Sequence, residues 1–190
     1  NGCSRCCHGM GNSIILDPYD VYRMTTGMGK SMQELLAASV ELNVVDGVIL
    51  PNLKMQGTKE ACAYLDEEGR CSIHPYHSFR PGFCRLFPLG RYYENGGFSY
   101  FLQTGECAKE NRSKIKVSKW IDTPDLTRNQ QFTLQWHDLL HAMEERLTGE
   151  DEGKQQEENL LLLRLFYLLP YKGTTDFYSQ FMERMEYWNE

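Results

Sequence analysis

The placement of cysteine constrains this chain more than any other feature. Seven cysteines, Cys3, Cys6, Cys7, Cys62, Cys71, Cys84 and Cys107, occur in 190 residues, and none follows Cys107. A chain of this length can bury a core without staples, so the thiols call for a chemical reason rather than a mechanical one. An odd number does not close into disulfides alone. Thiolates are soft and anionic, and four of them complete a tetrahedral zinc or hold an iron–sulfur cluster. Cys3-x-x-Cys6 has the spacing that lets two sulfurs meet one metal around a tight turn. Cys6 and Cys7 are adjacent, so they diverge: they serve different metals, or one stands behind the ligands. A zinc ribbon carries two C-x-x-C knuckles, and only one is present, which favours an iron–sulfur or iron centre over zinc. The competing account is that the cysteines are small buried hydrophobes with no ligand.

The remaining composition excludes more than it assigns. With 20 basic against 26 acidic side chains the net charge is -6, which leaves no electrostatic footprint for nucleic acid. No apolar run approaches the roughly 20 residues that cross a bilayer. The expected partner is therefore a protein, as partner or substrate, with no nucleic acid and no membrane. No secretory leader is visible, and unpaired thiols suit a reducing compartment, so a cytoplasmic location is expected. There is no P-loop, no dinucleotide fingerprint and no Ser/His/Asp pattern, and whether the chain is catalytic stays open.

Along the chain, the first twelve residues are rich in glycine and cysteine and read as a loop. Asp17 is an acceptable N-cap with Pro18 at the first helical position, and Gly27 or Gly29 ends that turn. Ser31 and Glu34 have capping-box spacing, which predicts a helix over 32–42. Residues 44–55 read as an edge strand or irregular segment, because Pro51 interrupts them. An acidic turn at 66–69 separates Cys62 from Cys71. Tyr92, Tyr93, Asn95-Gly96 and Phe98 to Leu102 read as a β-hairpin that returns Cys107 toward the centre. Beyond Thr123-Pro124, Leu126, Phe132, Trp136, Leu139, Leu140, Met143 and Leu147 recur at helical spacing. Two more helices are expected, at 155–169 and 174–188.

Three motifs carry a resemblance. C-x-x-C-C stands near the start, GRCSI runs from Gly69 to Ile73, and RPGFCRLFPL runs from Arg80 to Leu89. Together they resemble the YkgJ-type cysteine-cluster family, a zinc- or iron-chelating domain with a similar module in flagellin lysine N-methylases. The resemblance spans about residues 1 to 110. It implies that all seven cysteines are metal ligands. The family usually reads C-x-x-C-x-x-C-C, so it also implies a further cysteine immediately before Asn1. The spacer from His74 to Phe79 is longer than is usual there, which raises His74 and His77 as added ligands.

Arg80 and Arg85 flank Cys84, where they either offset thiolate charge or make ordinary caps and ion pairs. His137 and His141 lie four apart on a helix, a spacing that could face one metal, although packing or surface roles are commoner. Asp17 and Asp20 match acidic positions that commonly follow the cysteine run in that family, but they read as helix caps and stay outside the site. The expected fold is α+β, mainly α. A loop-rich cysteine-bearing part with a small hairpin (1–112) packs against a helical part (113–190). The expected function is metal binding through an iron–sulfur, iron or zinc centre, serving redox or protein-modification chemistry. The alternative is a structural zinc module that mediates protein contacts.

Overall fold

A computed structural model describes residues 4–74, 79–107 and 114–190. Helix makes up 47% and strand 18%, the mainly α, α+β class expected. The first helix, α1 (Pro18–Met28), begins where the sequence signals it. Asp17 Oδ1 accepts from the Asp20 amide at 2.8 Å, and Asp20 Oδ2 accepts from the Asp17 amide at 3.4 Å. Gly29 closes the helix at φ 63, a left-handed conformation that glycine adopts at little cost. Ser31 and Glu34 form the second capping box, opening α2 (Met32–Ala38).

The helix expected over 32–42 stops at Ala38, and strand β1 (Val40–Val45) follows almost at once. It turns through Asp46-Gly47, at φ 51 and 83, into β2 (Val48–Leu53). Asp-Gly between apolar runs is a strong hairpin signal, and Val40, Val44 and Val45 fit a pleated surface better than a helix. Pro51 has no N–H to give, but it pairs with Leu42 and its carbonyl accepts from Leu16 N at 2.8 Å.

Three long helices complete the core: α5 (Leu126–Leu147), α6 (Glu152–Leu163) and α7 (Phe177–Asn189). The last turn of the helix expected at 155–169 is instead a π-helical turn, Arg164–Leu168. It directs Phe166 and Tyr167 inward, and the Tyr167 hydroxyl donates to Leu16 O at 3.0 Å. Leu16, Val21, Met24, Leu35 and Leu53 share one buried cluster with Phe132, Trp136, Phe166, Phe177 and Phe181. Phe132 meets Phe177 and Phe181 edge-on, with centroids 5.0 and 4.8 Å apart, the packing that ring quadrupoles favour. Asn159 on α6 clamps the first hairpin: Oδ1 accepts from Ile49 N at 2.6 Å and Nδ2 donates to Gly47 O at 3.2 Å.

The remaining elements are short. Strands β3 (Met55–Gln56) and β4 (Ala61–Cys62) pair with each other. Helices α3 (Gly82–Leu86) and α4 (Val117–Ile121) are single turns that the periodicity does not reveal. The hairpin expected around Asn95-Gly96 is present as β5 (Leu89–Glu94) and β6 (Gly97–Leu102). Its Tyr93 ring stacks on His137 of α5 at 3.8 Å. Among the described residues, no helix is long and apolar enough to cross a membrane.

Candidate metal centre

Local hydrogen bonding brings separated cysteines to one place. Cys6 and Cys7 sit in a 3-10 turn, Arg5–Cys7, closed by Cys7 N donating to Ser4 O at 2.8 Å. His8 bridges to Ala61, and Gly9 N donates to Glu60 O at 2.9 Å, so this turn lies against β4, which carries Cys62. The acidic turn then folds the chain back. Arg70 N donates to Asp66 Oδ1 at 2.7 Å, Ser72 N donates to Tyr64 O at 2.8 Å, and Cys71 pairs with Leu65. Cys84 is delivered by α3.

Cys6, Cys7, Cys62, Cys71 and Cys84 all line one cavity of about 250 Å³. All five are thiols rather than disulfides. Ile14, Leu53, Ile73 and Phe87 supply much of the apolar wall, while Arg80, Gln103 and Glu106 supply polar groups. A larger groove, about 810 Å³, runs between α5 and α7 past Phe132, Tyr178 and Met182, but no cysteine or histidine lines it. The clustered thiols line the smaller space.

The thiols act on one another. The Cys7 thiol hydrogen-bonds to Cys6 and draws the Cys6 thiol down to about 6, with the Arg80 charge assisting. Cys7 is pushed up by holding that proton, by burial, and by the negative charge of Cys6, Cys62 and Cys71. Burial raises Cys62 and lifts Cys84 to about 12, and neighbouring thiolates add to both. Such a set resists becoming fully anionic without a cation, and a bound metal supplies that cation and deprotonates the thiols it ligates. The donor set therefore fits a thiophilic metal. Among the described residues, however, no three His, Cys, Asp or Glu side chains are already arranged to hold a single ion.

The two arginines flanking Cys84 have different roles. Arg80 lines the cavity, and its Nη2 donates to Cys84 O at 2.5 Å. Arg85 points away and is buried, donating to Asp122 O at 3.3 Å and to Thr123 Oγ1. Cys107 is half-buried and does not line the cavity, although Gln103 and Glu106 do. Cys3 and His77 lie outside the described residues. His74 is exposed and away from the lining. His137 and His141, with centroids 6.4 Å apart, lie on α5 beside Asp138 and Glu145 and do not reach the cavity.

Sequence reasoning set Asp20 aside as a cap. It is one, yet it is only 3% exposed, and its Oδ1 also accepts from Gly82 N at 2.7 Å. Burial and the nearby Asp17 carboxylate raise it to about 8. Two signals bear on it: the match of Asp20 to an acidic position that commonly follows the cysteine run in the resembled family, and an aspartate where a capping box normally has glutamate or glutamine.

No curated protein and no solved structure matches the chain. A family profile covering residues 1–132 does match, and the cysteine run in its name ends in the C-x-x-C-C that the chain carries at Cys3, Cys6 and Cys7. The chain belongs to that family, CxxCxxCC, described as a "Putative zinc- or iron-chelating domain".

Proposed function

We propose that the cavity holds an iron–sulfur or iron centre, with Cys6, Cys7, Cys62, Cys71 and Cys84 as its protein ligands and Cys3 and Cys107 contributing from the flanking chain. The observation that carries this reading is the gathering of five thiols around one cavity. Among the described lining residues five thiols face a single carboxylate, Glu106, a balance that suits zinc or iron–sulfur rather than hard cations. A single C-x-x-C, where a zinc ribbon carries two, favours an iron or iron–sulfur centre over a structural zinc. When bound, an iron–sulfur centre supplies one-electron transfer to a redox or protein-modifying reaction on a protein partner. Around it, Ile14, Leu53, Ile73 and Phe87 exclude water, while the Arg80 charge offsets that of the thiolates.

The test is purification under oxygen-free conditions, with iron, zinc and acid-labile sulfide measured per chain alongside the visible spectrum. The expected result is a brown protein holding iron and sulfide in similar amounts, both lost in Cys62→Ser and Cys84→Ser. A colourless protein with one tightly held zinc overturns the iron–sulfur assignment in favour of a structural zinc module. Metal content that survives both substitutions overturns the cavity as its location.

A further inference from the structure

We infer that Asp20 is a positioning residue for the metal centre: its buried carboxylate, carried on α1, caps the short helix that presents Cys84. The inference rests on the reading of the cavity as a metal site.

Helix α3 has five residues, too few to be stable alone, because nucleating one turn fixes several dihedrals for a single hydrogen bond. Its first N–H groups have no acceptor within the helix. The residue at its N-cap is Pro81, which makes no side-chain capping bond. The acceptor comes from a distant part of the chain. Asp20 Oδ1 takes the Gly82 N–H at 2.7 Å, across 62 positions of sequence. A carboxylate at that end also suits the helix dipole.

Asp20 takes its place from the first turn of α1. Its backbone N–H is bound by Asp17 Oδ1 at 2.8 Å, and its second oxygen accepts from Asp17 N, so one side chain joins the starts of two helices. Cys84 lies within the same turn as Gly82, and Arg80 grips the Cys84 carbonyl from the cavity side. Arg85 anchors the end of the turn to Asp122 and Thr123. The Cys84 sulfur is therefore located by α1, which belongs to the aromatic core, rather than by the loop in which it occurs. Groups that hold metal ligands in place commonly alter affinity ten- to a hundredfold when removed.

The experiment compares Asp20→Ala, Asp20→Asn and Asp17→Ala in the full chain. Co(II) is titrated without oxygen and read by its thiolate charge-transfer and ligand-field bands. Amide hydrogen exchange at Gly82 is followed in the metal-free proteins. Asp20→Ala is expected to weaken Co(II) binding at least tenfold, change the ligand-field bands, and speed Gly82 exchange at least tenfold. Asp20→Asn keeps an oxygen acceptor and should restore all three readouts to near wild type. Asp17→Ala removes the α1 cap and lowers Tm without touching Gly82, so it should leave Co(II) affinity within threefold. The inference is overturned if Asp20→Ala binds Co(II) like wild type, if Gly82 exchange is unchanged, or if Asp17→Ala weakens binding equally. A wild-type protein with no cobalt–thiolate bands overturns the metal reading itself and this inference with it.

Discussion

The aromatic core and the cysteine cavity lie side by side but are stabilised in different ways. The core joins long helices to the first hairpin, and its central rings, Phe132, Phe166, Phe177 and Phe181, are at most 2% exposed. Its stability comes from burial, which is non-directional and shared over many contacts. The cavity draws its cysteines from a three-residue 3-10 turn, a two-residue strand, the end of an acidic turn and a five-residue helix. None of these could persist alone. Each is fixed by a specific bond to something larger, such as Gly9 to Glu60 or Gly82 to Asp20. The core should tolerate loss of the metal, whereas the cavity should not tolerate loss of its tethers.

The largest effect should come from the core. Phe132→Ala removes a fully buried ring and should cost about 3–5 kcal/mol, read as a lower urea midpoint in the metal-free protein. Cys62→Ser, in the same assay, should move the midpoint by less than about 1 kcal/mol while abolishing metal retention. Equal losses in the two variants would break the distinction, because the cavity would then be a structural part of the core.

Gly27→Ala tests the seam between the two regions. A Cβ at Gly27 would stand 1.9 Å from the Phe79 ring, so that ring, next to Arg80 in the chain, lies directly on the α1 backbone. Something must shift. The expected cost is about 1–3 kcal/mol, with metal retention reduced because Arg80 and Cys84 follow Phe79. Full stability and full metal content in Gly27→Ala would show that the Cys84 segment is located without α1.

What was legible in the sequence follows the same division. Local signals read correctly at three places where one short stretch decides the outcome: Asp17 with Pro18, Ser31 with Glu34, and Asn95-Gly96. The cysteine motifs disclosed the family, because their spacing is itself the signature. The helix expected over 32–42 overruns because Leu42 continues an apolar pattern that fits either period, and it is the Asp46-Gly47 turn that decides for strand. Helices α3 and α4 are shorter than any periodicity can register. The bond from Asp20 to Gly82 joins positions that no local pattern relates. The roles of Arg80 and Arg85 were undecidable from their places beside Cys84. Only the direction taken by α3 sends one toward the thiols and the other toward Thr123.

The smallest effect belongs to a surface pair outside the cavity lining. Arg128 on α5 donates to both oxygens of Asp176, at 3.2 and 2.6 Å, and Asp176 also caps α7 through Ser179 N at 3.0 Å. Desolvation works to raise the Asp176 carboxyl, but Arg128 and the Ser179 bonds outweigh it and hold the acid below its usual range. A depressed folded value means that the stabilisation is present above the unfolded value, near pH 4, and is lost as pH falls through the lower folded one. Both side chains are more than two-fifths exposed, so water and salt screen the pair. Arg128→Ala should therefore lower the urea midpoint only slightly at neutral pH, and less in high salt or at pH 2, where only its contact with the Tyr178 ring remains to be lost. Its metal affinity should equal that of wild type. A measurable change in metal binding from this position would mean that α5 and α7 communicate with the thiols, and that the core is more than the platform on which the cavity is built.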